Sequence, residues 1–270
     1  MSYKFWVLLL MLFIPNILLA QSTEKEYGLN FAWEIKQVDE FIERFNNDPS
    51  SFINEYVKKS GQAAPMTREK MIKSLFNAKS SGWNYQQINS FIKQVNSLGT
   101  PQYLNFNGMD WFARVRCHVS CNGRPEEATL ILQTSTQADG ASKWVIADIN
   151  FSERVRLALK NDKSDDLLPC PEPADPTSSF SPMSHANGFL NIDLATRNPE
   201  NIGNFVIGSR RSKNLNVFID ACLRKRFKIV NAISVTYSFL QIKGWRIEIS
   251  QFTRQSMNSG WLISKLVKRS

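Results

Sequence analysis

Hydrophobic residues recur every three or four positions in four successive segments near the start of the chain, a spacing that places them on one side of an α-helix. Side chains of the kind that cap helix N-termini precede three of these segments: Asp48, Thr67 and Asn84. This part of the chain therefore predicts four amphipathic helices. The four segments are Leu29–Phe45, Phe52–Val57, Met71–Phe76 and Ile88–Val95.

After Pro101 the pattern changes from a helical period to that of a β-strand. Apolar and polar residues alternate from Trp111 to Ser120, with arginines and a histidine on the polar side. Asn122–Gly123 is a strong hairpin signal, and strand-like runs follow at 127–135 and 144–151. These runs predict a three-stranded antiparallel meander whose apolar face is covered by the preceding helices.

The second half of the chain repeats this order of elements. Helical patterns cover Ala186–Thr196 and a segment that begins at Ser212. Strand-like runs follow at Phe227–Ile242, Trp245–Ile249 and Trp261–Val267. The repeat predicts that the second half is a further unit of helices followed by three strands.

The segment 160–184 separates the two halves and contains five prolines among serines and acidic residues, a composition that predicts a linker. We therefore expect an α+β protein of two tandem units, each with helices followed by a three-stranded antiparallel meander. The expected division is a signal peptide at 1–20, an N-terminal α+β domain at 21–159, the linker at 160–184 and a C-terminal α+β domain at 185–270.

Each half closes in a strand that a tryptophan introduces, Lys-Trp-Val-Ile-Ala-Asp-Ile at 143–149 and Gly-Trp-Leu-Ile-Ser-Lys-Leu at 260–266. Helices that precede a curved antiparallel sheet closing in this way resemble the NTF2-like (cystatin-like) α+β roll, as in exported bacterial proteins of unknown function. The first half has more helix before its sheet than that family has. The resemblance implies a cone-shaped pocket. Because family members range from isomerases and dehydratases to non-catalytic binding domains, it implies no catalytic residues for this chain.

The start of the chain has the order of features found in secretory signal peptides. Lys4 precedes an apolar run, Phe5–Leu19, and Ala20 precedes a polar segment. The run is shorter than the roughly 20 residues of a membrane helix and contains Pro15, so we expect cleavage after Ala20. The mature chain is then periplasmic or secreted and has no transmembrane helix.

The mature chain is expected to be basic, because residues 1–20 contain one lysine and no acid. It then carries 32 Lys and Arg against 24 Asp and Glu, a net charge of +8. Such a charge favours anionic surfaces or acidic partners, while export argues against nucleic acid as a partner. The densest basic residues are Arg210, Arg211, Lys213, Arg224, Lys225 and Arg226.

Four cysteines are present, and export permits disulfides between them. Cys222 lies on the apolar face of a predicted helix, which indicates a buried free thiol. Cys117, His118 and Cys121 lie close together in sequence, as metal ligands do. On a regular strand, however, Cys117 and His118 point to opposite faces, and no second ligand pair is near. We therefore predict no metal and no other cofactor.

The candidate ligand-binding residues lie on the predicted strands. Trp111 and Trp245 are either core residues or a platform for a carbohydrate or hydrophobic ligand. His118 and Asp148 in the first sheet, and Arg246 with Glu248 in the second, could line a pocket. The other histidine, His185, is expected to make a local hydrogen bond at a helix start.

No catalytic motif connects these residues, so the catalytic residues are unknown and a non-catalytic role is favoured over an enzyme. The sequence favours an exported binding or interaction module of the bacterial cell envelope, with a partner protein or a small molecule. The alternative is a small pocket enzyme, an isomerase or hydrolase of NTF2-like type.

Overall fold

The computed structural model of the protein describes residues 33–61, 66–77, 80, 82–136, 140–160, 167–173, 178–253 and 258–269. Over these ranges the fold is mixed α+β, with helices and a seven-stranded sheet. The predicted signal peptide, residues 1–20, lies outside the described residues. The described residues form two compact units, which fall within Met1–Trp83 plus Phe252–Leu262 and within Asn84–Gln251 plus Ile263–Ser270. These ranges differ from the expected domains at 21–159 and 185–270.

The described helices and strands are named here in chain order. The first unit contains β1 (Glu34–Ile35), α1 (Val38–Asn46), α2 (Phe52–Lys59) and α3 (Arg68–Ser74). The second unit contains α4 (Tyr85–Val95), β2 (Trp111–Cys121), β3 (Arg124–Thr136), β4 (Ser142–Phe151), α5 (Glu153–Lys160), α6 (Leu194–Arg197), α7 (Lys213–Leu223) and β5 (Phe227–Phe239). The strands β6 (Trp245–Phe252) and β7 (Ser259–Lys268) are each divided between the two units. Two 3₁₀ helices cover Pro182–His185 and Pro199–Asn204.

The helix predicted at Leu29–Phe45 is not continuous. Residues 29–32 lie outside the described residues and Trp33 is helical, but a strand follows and α1 begins only at Val38. Glu34 and Ile35 instead form β1, which pairs in parallel with Ser259 and Gly260 at the start of β7. Gly260 has a positive φ of 81°, and a Cβ at this position would collide with the carbonyl oxygen of Ile35. The close approach of these two backbones therefore requires glycine.

Buried aromatic and aliphatic residues hold the helices of the first unit. Phe41 and Phe45 of α1 are fully buried, and their rings stack at 6.4 Å. Arg44 lies among them and donates a hydrogen bond of 3.0 Å to the carbonyl of Trp33, while its guanidinium lies 5.3 Å from the Trp33 ring centroid. Burial lowers the pKa of Arg44 to about 10, because desolvation disfavours the charged form.

Two of the three predicted caps in this region are confirmed. Thr67 accepts a hydrogen bond from the Lys70 amide at the start of α3, and Asn84 accepts one from Gln87 at the start of α4. The prediction for Asp48 is wrong, since α2 begins at Phe52. The Asp48 carboxylate accepts hydrogen bonds from the amide and hydroxyl of Ser50, which form a turn before the helix and lower the pKa of Asp48.

In the second unit, strands from both halves of the chain share one sheet. β2, β3 and β4 pair antiparallel in chain order, as do β5 and β6. β2 also pairs antiparallel with β5 from Trp111↔Phe239 to Cys121↔Phe227, which gives the order β7-β6-β5-β2-β3-β4. The expected two tandem three-stranded units are therefore not confirmed as separate sheets. Pairing β2 with β5 satisfies backbone groups that two separate sheets would leave unpaired at their edges.

Helices and aromatic rings cover one face of this sheet. α7 packs on β4 and β5. Phe91 of α4 packs edge-on against Trp245 of β6, with ring centroids 5.3 Å apart. Trp111 of β2 contacts Trp144 of β4 at 5.0 Å and stacks on Phe239 of β5 at 5.4 Å. These contacts form the core of the second unit.

The described parts of the proline-rich segment 160–184 pack on the second unit. The Leu168 amide donates a hydrogen bond of 3.0 Å to the Asp220 carboxylate of α7. The Phe180 carbonyl accepts one of 3.3 Å from the Trp144 amide, and the Phe180 side chain is buried. The described parts of the segment predicted to be a linker are therefore attached to the folded unit.

The helix predicted at Ala186–Thr196 is largely wrong. The chain instead forms the 3₁₀ helix Pro182–His185 and the short α6, Leu194–Arg197. Gly188 and Phe189 lie between them with positive φ angles of 65° and 59°, which no right-handed helix contains. The helix predicted to begin at Ser212 is confirmed as α7, and the Ser212 hydroxyl caps it by accepting a hydrogen bond from the Leu215 amide. Across the described residues, no helix combines the length and the apolar character needed to cross a membrane.

Candidate functional site

The second unit has a polar sheet face, opposite the covered one, which we define by side chains that alternate with the core residues. Strand pairing places Arg114 of β2 opposite Thr236 of β5, and Thr236 opposite Ser250 of β6. Two residues along β5, Ser238 lies between Phe112 and Glu248. The polar face comprises Phe112, Arg114, Arg116, His118, Thr236, Ser238, Arg246, Glu248, Ser250 and Ser264.

An ion cluster lies at the centre of this face. Nη2 of Arg114 lies 2.9 Å from Oε2 of Glu248, and Nε of Arg246 lies 3.0 Å from Oε1 of the same carboxylate. The Glu248 side chain is 9% exposed, against 30% for Arg114 and 35% for Arg246. The Arg246 contact is an ion pair by distance only, since its Nε–H does not point at the carboxylate in hydrogen-bonding geometry.

The two guanidinium groups determine the chemical role of the Glu248 carboxylate. A carboxylate taken out of water is costly unless opposite charges surround it, and each of its oxygens faces its own cation. The cluster carries a net charge of +1 and is tied to the strands that bear it. Its carboxylate therefore positions the two arginines, and it is poorly placed to abstract a proton from a substrate.

A row of hydroxyl groups lies beside the ion cluster. The Thr236 and Ser250 hydroxyl oxygens are 3.3 Å apart, and those of Ser250 and Ser264 are 3.1 Å apart. The Ser264 hydroxyl also donates to the backbone carbonyl of Glu248 at 3.2 Å. Ser238 is fully buried, and its hydroxyl has no hydrogen-bond partner among the described residues. The face thus combines charged groups with hydroxyls that can donate or accept hydrogen bonds.

Two side chains of the polar face reach solvent on β2. Arg116 is 54% exposed at its side chain and lies 4.0 Å from the Glu127 carboxylate, a loose ion pair. His118 is exposed, and its Nδ1 lies 3.3 Å from the amide oxygen of Asn231. Both are free to exchange these weak contacts for contacts with another molecule.

The structure brings together only part of the predicted site. Arg246 and Glu248 meet in the ion cluster, and His118 lies on the same sheet face. Asp148 takes another role, because its Oδ1 accepts a hydrogen bond of 2.5 Å from the Ser212 hydroxyl that caps α7. It thereby fixes the start of that helix to β4.

Trp111 and Trp245 are core residues, each only 1% exposed. The Trp111 indole N–H donates to the carbonyl of Phe106 at 3.0 Å, and that of Trp245 donates to the side-chain oxygen of Gln94 at 2.9 Å. Of the two alternatives for these tryptophans, this arrangement corresponds to core packing.

His185 makes the local hydrogen bond that its position predicts. Its Nδ1 lies 2.8 Å from the Pro182 carbonyl oxygen, three residues earlier. The ring is 1% exposed and lies 4.8 Å from the ring of Phe106, and the His185 carbonyl accepts a hydrogen bond from the Tyr237 hydroxyl. His185 therefore anchors the 3₁₀ helix to the sheet.

All four cysteines are free thiols, and Cys222 is buried as predicted. Burial raises the pKa of Cys117 to about 12 and that of Cys222 well above its usual value. Within the described residues, no group of three or more histidine, cysteine or acidic side chains could hold a metal ion.

The predicted basic residues lie in two groups at opposite ends of α7. Arg210, Arg211 and Lys213 are at its start, and Arg224 follows its end, which is about 16 Å away for an 11-residue helix. Lys225 and Arg226 belong to the second group. The six residues therefore do not form one continuous patch.

Sequence reasoning missed Arg114, because nothing in the local pattern connects it with Glu248, 134 positions later. The arginines on the polar side of the first predicted strand were the available signal, and β2–β5–β6 pairing was needed to use it. Comparisons with known proteins add no relative: no family model, no curated protein and no solved structure matches the chain.

Proposed function

We propose that this protein is an exported, non-catalytic binding module of the bacterial cell envelope, and that its polar face is the recognition surface. The observation that carries the proposal is the ion cluster of Arg114, Arg246 and Glu248 on a sheet face with exposed Arg116 and His118. Export rests on the apolar run and cleavage signal at residues 1–20.

Binding is favoured over catalysis by the state of the acid and base groups. Glu248 is held by two cations, Asp148 caps α7 through Ser212, and His185 is enclosed by aromatic rings. General acid–base catalysis needs two such groups within reach of one reacting atom, with freedom to exchange protons. The alternative, a small pocket enzyme, would require a convergence of these groups that their present contacts oppose.

The chemistry of the polar face favours a polar partner with acidic groups. Its cluster has a net positive charge, Arg116 adds a guanidinium that is only loosely paired, and the neighbouring hydroxyls offer hydrogen bonds. A charge-complementary surface of this kind guides the approach and orientation of a partner. The partner is a protein or a small polar molecule of the envelope.

The NTF2-like relationship is part of this proposal. It is supported by antiparallel strands with helices on one face, and by the tryptophans that introduce the closing strands.

Native mass spectrometry of the protein exported by its own host tests this function. The double variant Arg116→Gln, His118→Ala removes exposed groups of the polar face, whereas Lys58→Gln removes an exposed charge in the other unit. We expect a non-covalent protein or small-molecule adduct on the wild type and on the Lys58 variant, and its loss from the double variant.

A double variant that keeps every adduct of the wild type would contradict the proposal, because no binding would then depend on the polar face. Steady turnover of the bound molecule into a chemically changed product would instead favour the enzyme.

A further inference from the structure

A basic cleft lies in the second unit between the β2–β3 hairpin and α5, and none of its lining residues belongs to the polar face. Its volume is about 830 Å³. The hairpin contributes Arg124 and Glu126, α5 contributes Arg154 and Leu157, and Arg226 lies at the start of β5. A cleft of this size accommodates a small organic molecule.

Two of the three arginines are available to a ligand. Arg124 and Arg154 are exposed, and neither side chain has a hydrogen bond or ion pair with another described residue. Exposed arginines commonly pair with a nearby carboxylate, and Arg156, on the same helix as Arg154, does so with Glu153. Arg124 and Arg154 thus present guanidinium forks that can engage a phosphate or carboxylate bidentately.

The third arginine holds the walls of the cleft together. Nε of Arg226 donates a hydrogen bond of 3.0 Å to the Asn122 side chain in the hairpin, and its Nη2 donates one of 2.9 Å to the Ala158 carbonyl in α5. These two bonds fix the hairpin relative to the helix. A ligand would therefore meet a cleft that is already formed, and would bind at a lower entropic cost.

The lining also includes apolar groups beside the charges. Pro125 and Ala158 line the cleft together with Val155 and Leu157 of α5, and the Leu157 side chain is 53% exposed. A large exposed apolar residue next to arginines suits a ligand that combines an anionic group with an organic body. Inorganic ions would leave this wall without a contact.

The charge of the cleft indicates which anion fits. Three guanidinium groups and one carboxylate, Glu126, line it, so its formal charge is +2. A phosphomonoester carries about −1.5 to −2 near neutral pH and offers three acceptor oxygens, whereas a carboxylate carries −1. We propose that this cleft binds an organic phosphomonoester, through its phosphate on Arg124 and Arg154 and its organic part on the Leu157 wall.

Two sources share this chemistry, a soluble organic phosphate and the headgroup of phosphatidic acid in a membrane. Isothermal titration calorimetry of the mature chain with phenyl phosphate measures the first. Co-sedimentation with phosphatidylcholine vesicles that contain phosphatidic acid, against vesicles of phosphatidylcholine alone, measures the second.

The test variant is Arg124→Gln, Arg154→Gln, which removes two exposed charges that have no ion pair among the described residues. Lys58→Gln, Lys70→Gln is its matched control, since it removes two exposed charges in the other unit. We expect the test variant to bind phenyl phosphate, the vesicles or both at least about tenfold more weakly than the wild type, with the control within about twofold of it.

Three results would overturn the proposal. The wild type could bind neither probe, the test variant could bind as well as the control, or inorganic phosphate could bind as tightly as phenyl phosphate. If the control variant lost as much affinity as the test variant, net charge alone would drive association. That result would also overturn the proposal.

Discussion

The two faces of the sheet in the second unit are built from the same strands and use their side chains in opposite ways. On β2, Trp111 is buried among aromatic rings, while Arg114, three positions later, ends in an ion pair on the other face. On β6, Trp245 packs under α4, whereas its neighbour Arg246 pairs with Glu248. Alternation along a strand therefore divides one sheet into a face that packs in the core and a polar face, which is the proposed recognition surface.

The difference between the two faces shows where the free energy of folding is concentrated. Removing apolar atoms from a packed face costs both the transfer from water and the cavity left behind. Ion pairs at a partly exposed face contribute much less, because their attraction is offset by desolvation and by solvent screening. We thus expect substitutions on the covered face to change stability, and substitutions at the exposed part of the polar face to change binding.

The largest effect is expected from Trp111→Ala. The indole stacks on Phe239 and contacts Trp144, so its removal should lower the free energy of unfolding by about 3–5 kcal/mol. Chemical denaturation measures this change. Tyr85→Ala is the control, since the Tyr85 side chain is 71% exposed and its loss should change stability by less than about 0.5 kcal/mol. Similar values for both variants would remove the distinction between a core aromatic and a surface one.

The next largest loss of stability is expected from Glu248→Gln. The substitution keeps the shape of the side chain but leaves Arg114 and Arg246 without their counter-charge. Both arginines are about a third exposed, so we expect a loss of about 1–3 kcal/mol, below that of a fully buried pair.

Glu127→Gln removes a carboxylate from the loose 4.0 Å pair with Arg116, and its cost should stay below about 0.5 kcal/mol by the same denaturation measurement. If Glu248→Gln proved no more costly than Glu127→Gln, the ion cluster would not hold the polar face together.

Alkaline pH should lower the free energy of unfolding of the protein through a buried thiol of the covered face, that of Cys117. Burial raises the pKa of Cys117 to about 12, above the ordinary value of about 8.5 for an exposed thiol. Below pH 8.5 the thiol is protonated in both states and has no effect. Between these values only the unfolded chain ionises, so stability falls as pH rises, by up to about 1.4 kcal/mol per pH unit.

Denaturation of the wild type and of Cys117→Val between pH 8 and 11 measures this contribution. The valine variant should lose stability less steeply, because it has no thiol to ionise at this position. Parallel curves would show that Cys117 does not carry the effect.

The smallest change in stability is expected for Arg116→Gln combined with His118→Ala. Both side chains are exposed and make only weak contacts, so the free energy of unfolding should move by less than about 0.5 kcal/mol. Binding of the partner that we propose should nevertheless weaken by tenfold or more, as measured by titration of that partner after purification. A variant that lost stability and kept its binding would reverse the roles assigned to the two faces.

Part of the candidate site was predictable from the sequence. The alternation in β2 separated Trp111 and Cys117 from Arg114 and His118, and β6 separated Trp245 from Arg246 in the same way. The prediction could not include Arg114 in the cluster with Glu248, because its β2 strand pairs with β5, over a hundred positions away.

The basic residues show the same limit. Their density in sequence suggested that all six bind one anionic surface, but α7 separates them into two groups. Arg226 joins Arg124 and Arg154 at one cleft only because β5 begins beside the β2–β3 hairpin. Charge along the chain does not determine charge in space.

The sequence by itself determined the local elements of this protein: the caps at Thr67, Asn84 and Ser212, the Asn122–Gly123 turn and the alternation of the strands. Each depends on side chains and backbone groups within a few residues of one another. Only the tertiary structure decided that strands of both halves share one sheet, and that described parts of a proline-rich segment pack on it. These contacts join residues far apart in the chain, and their stability comes from burial and pairing across the whole unit.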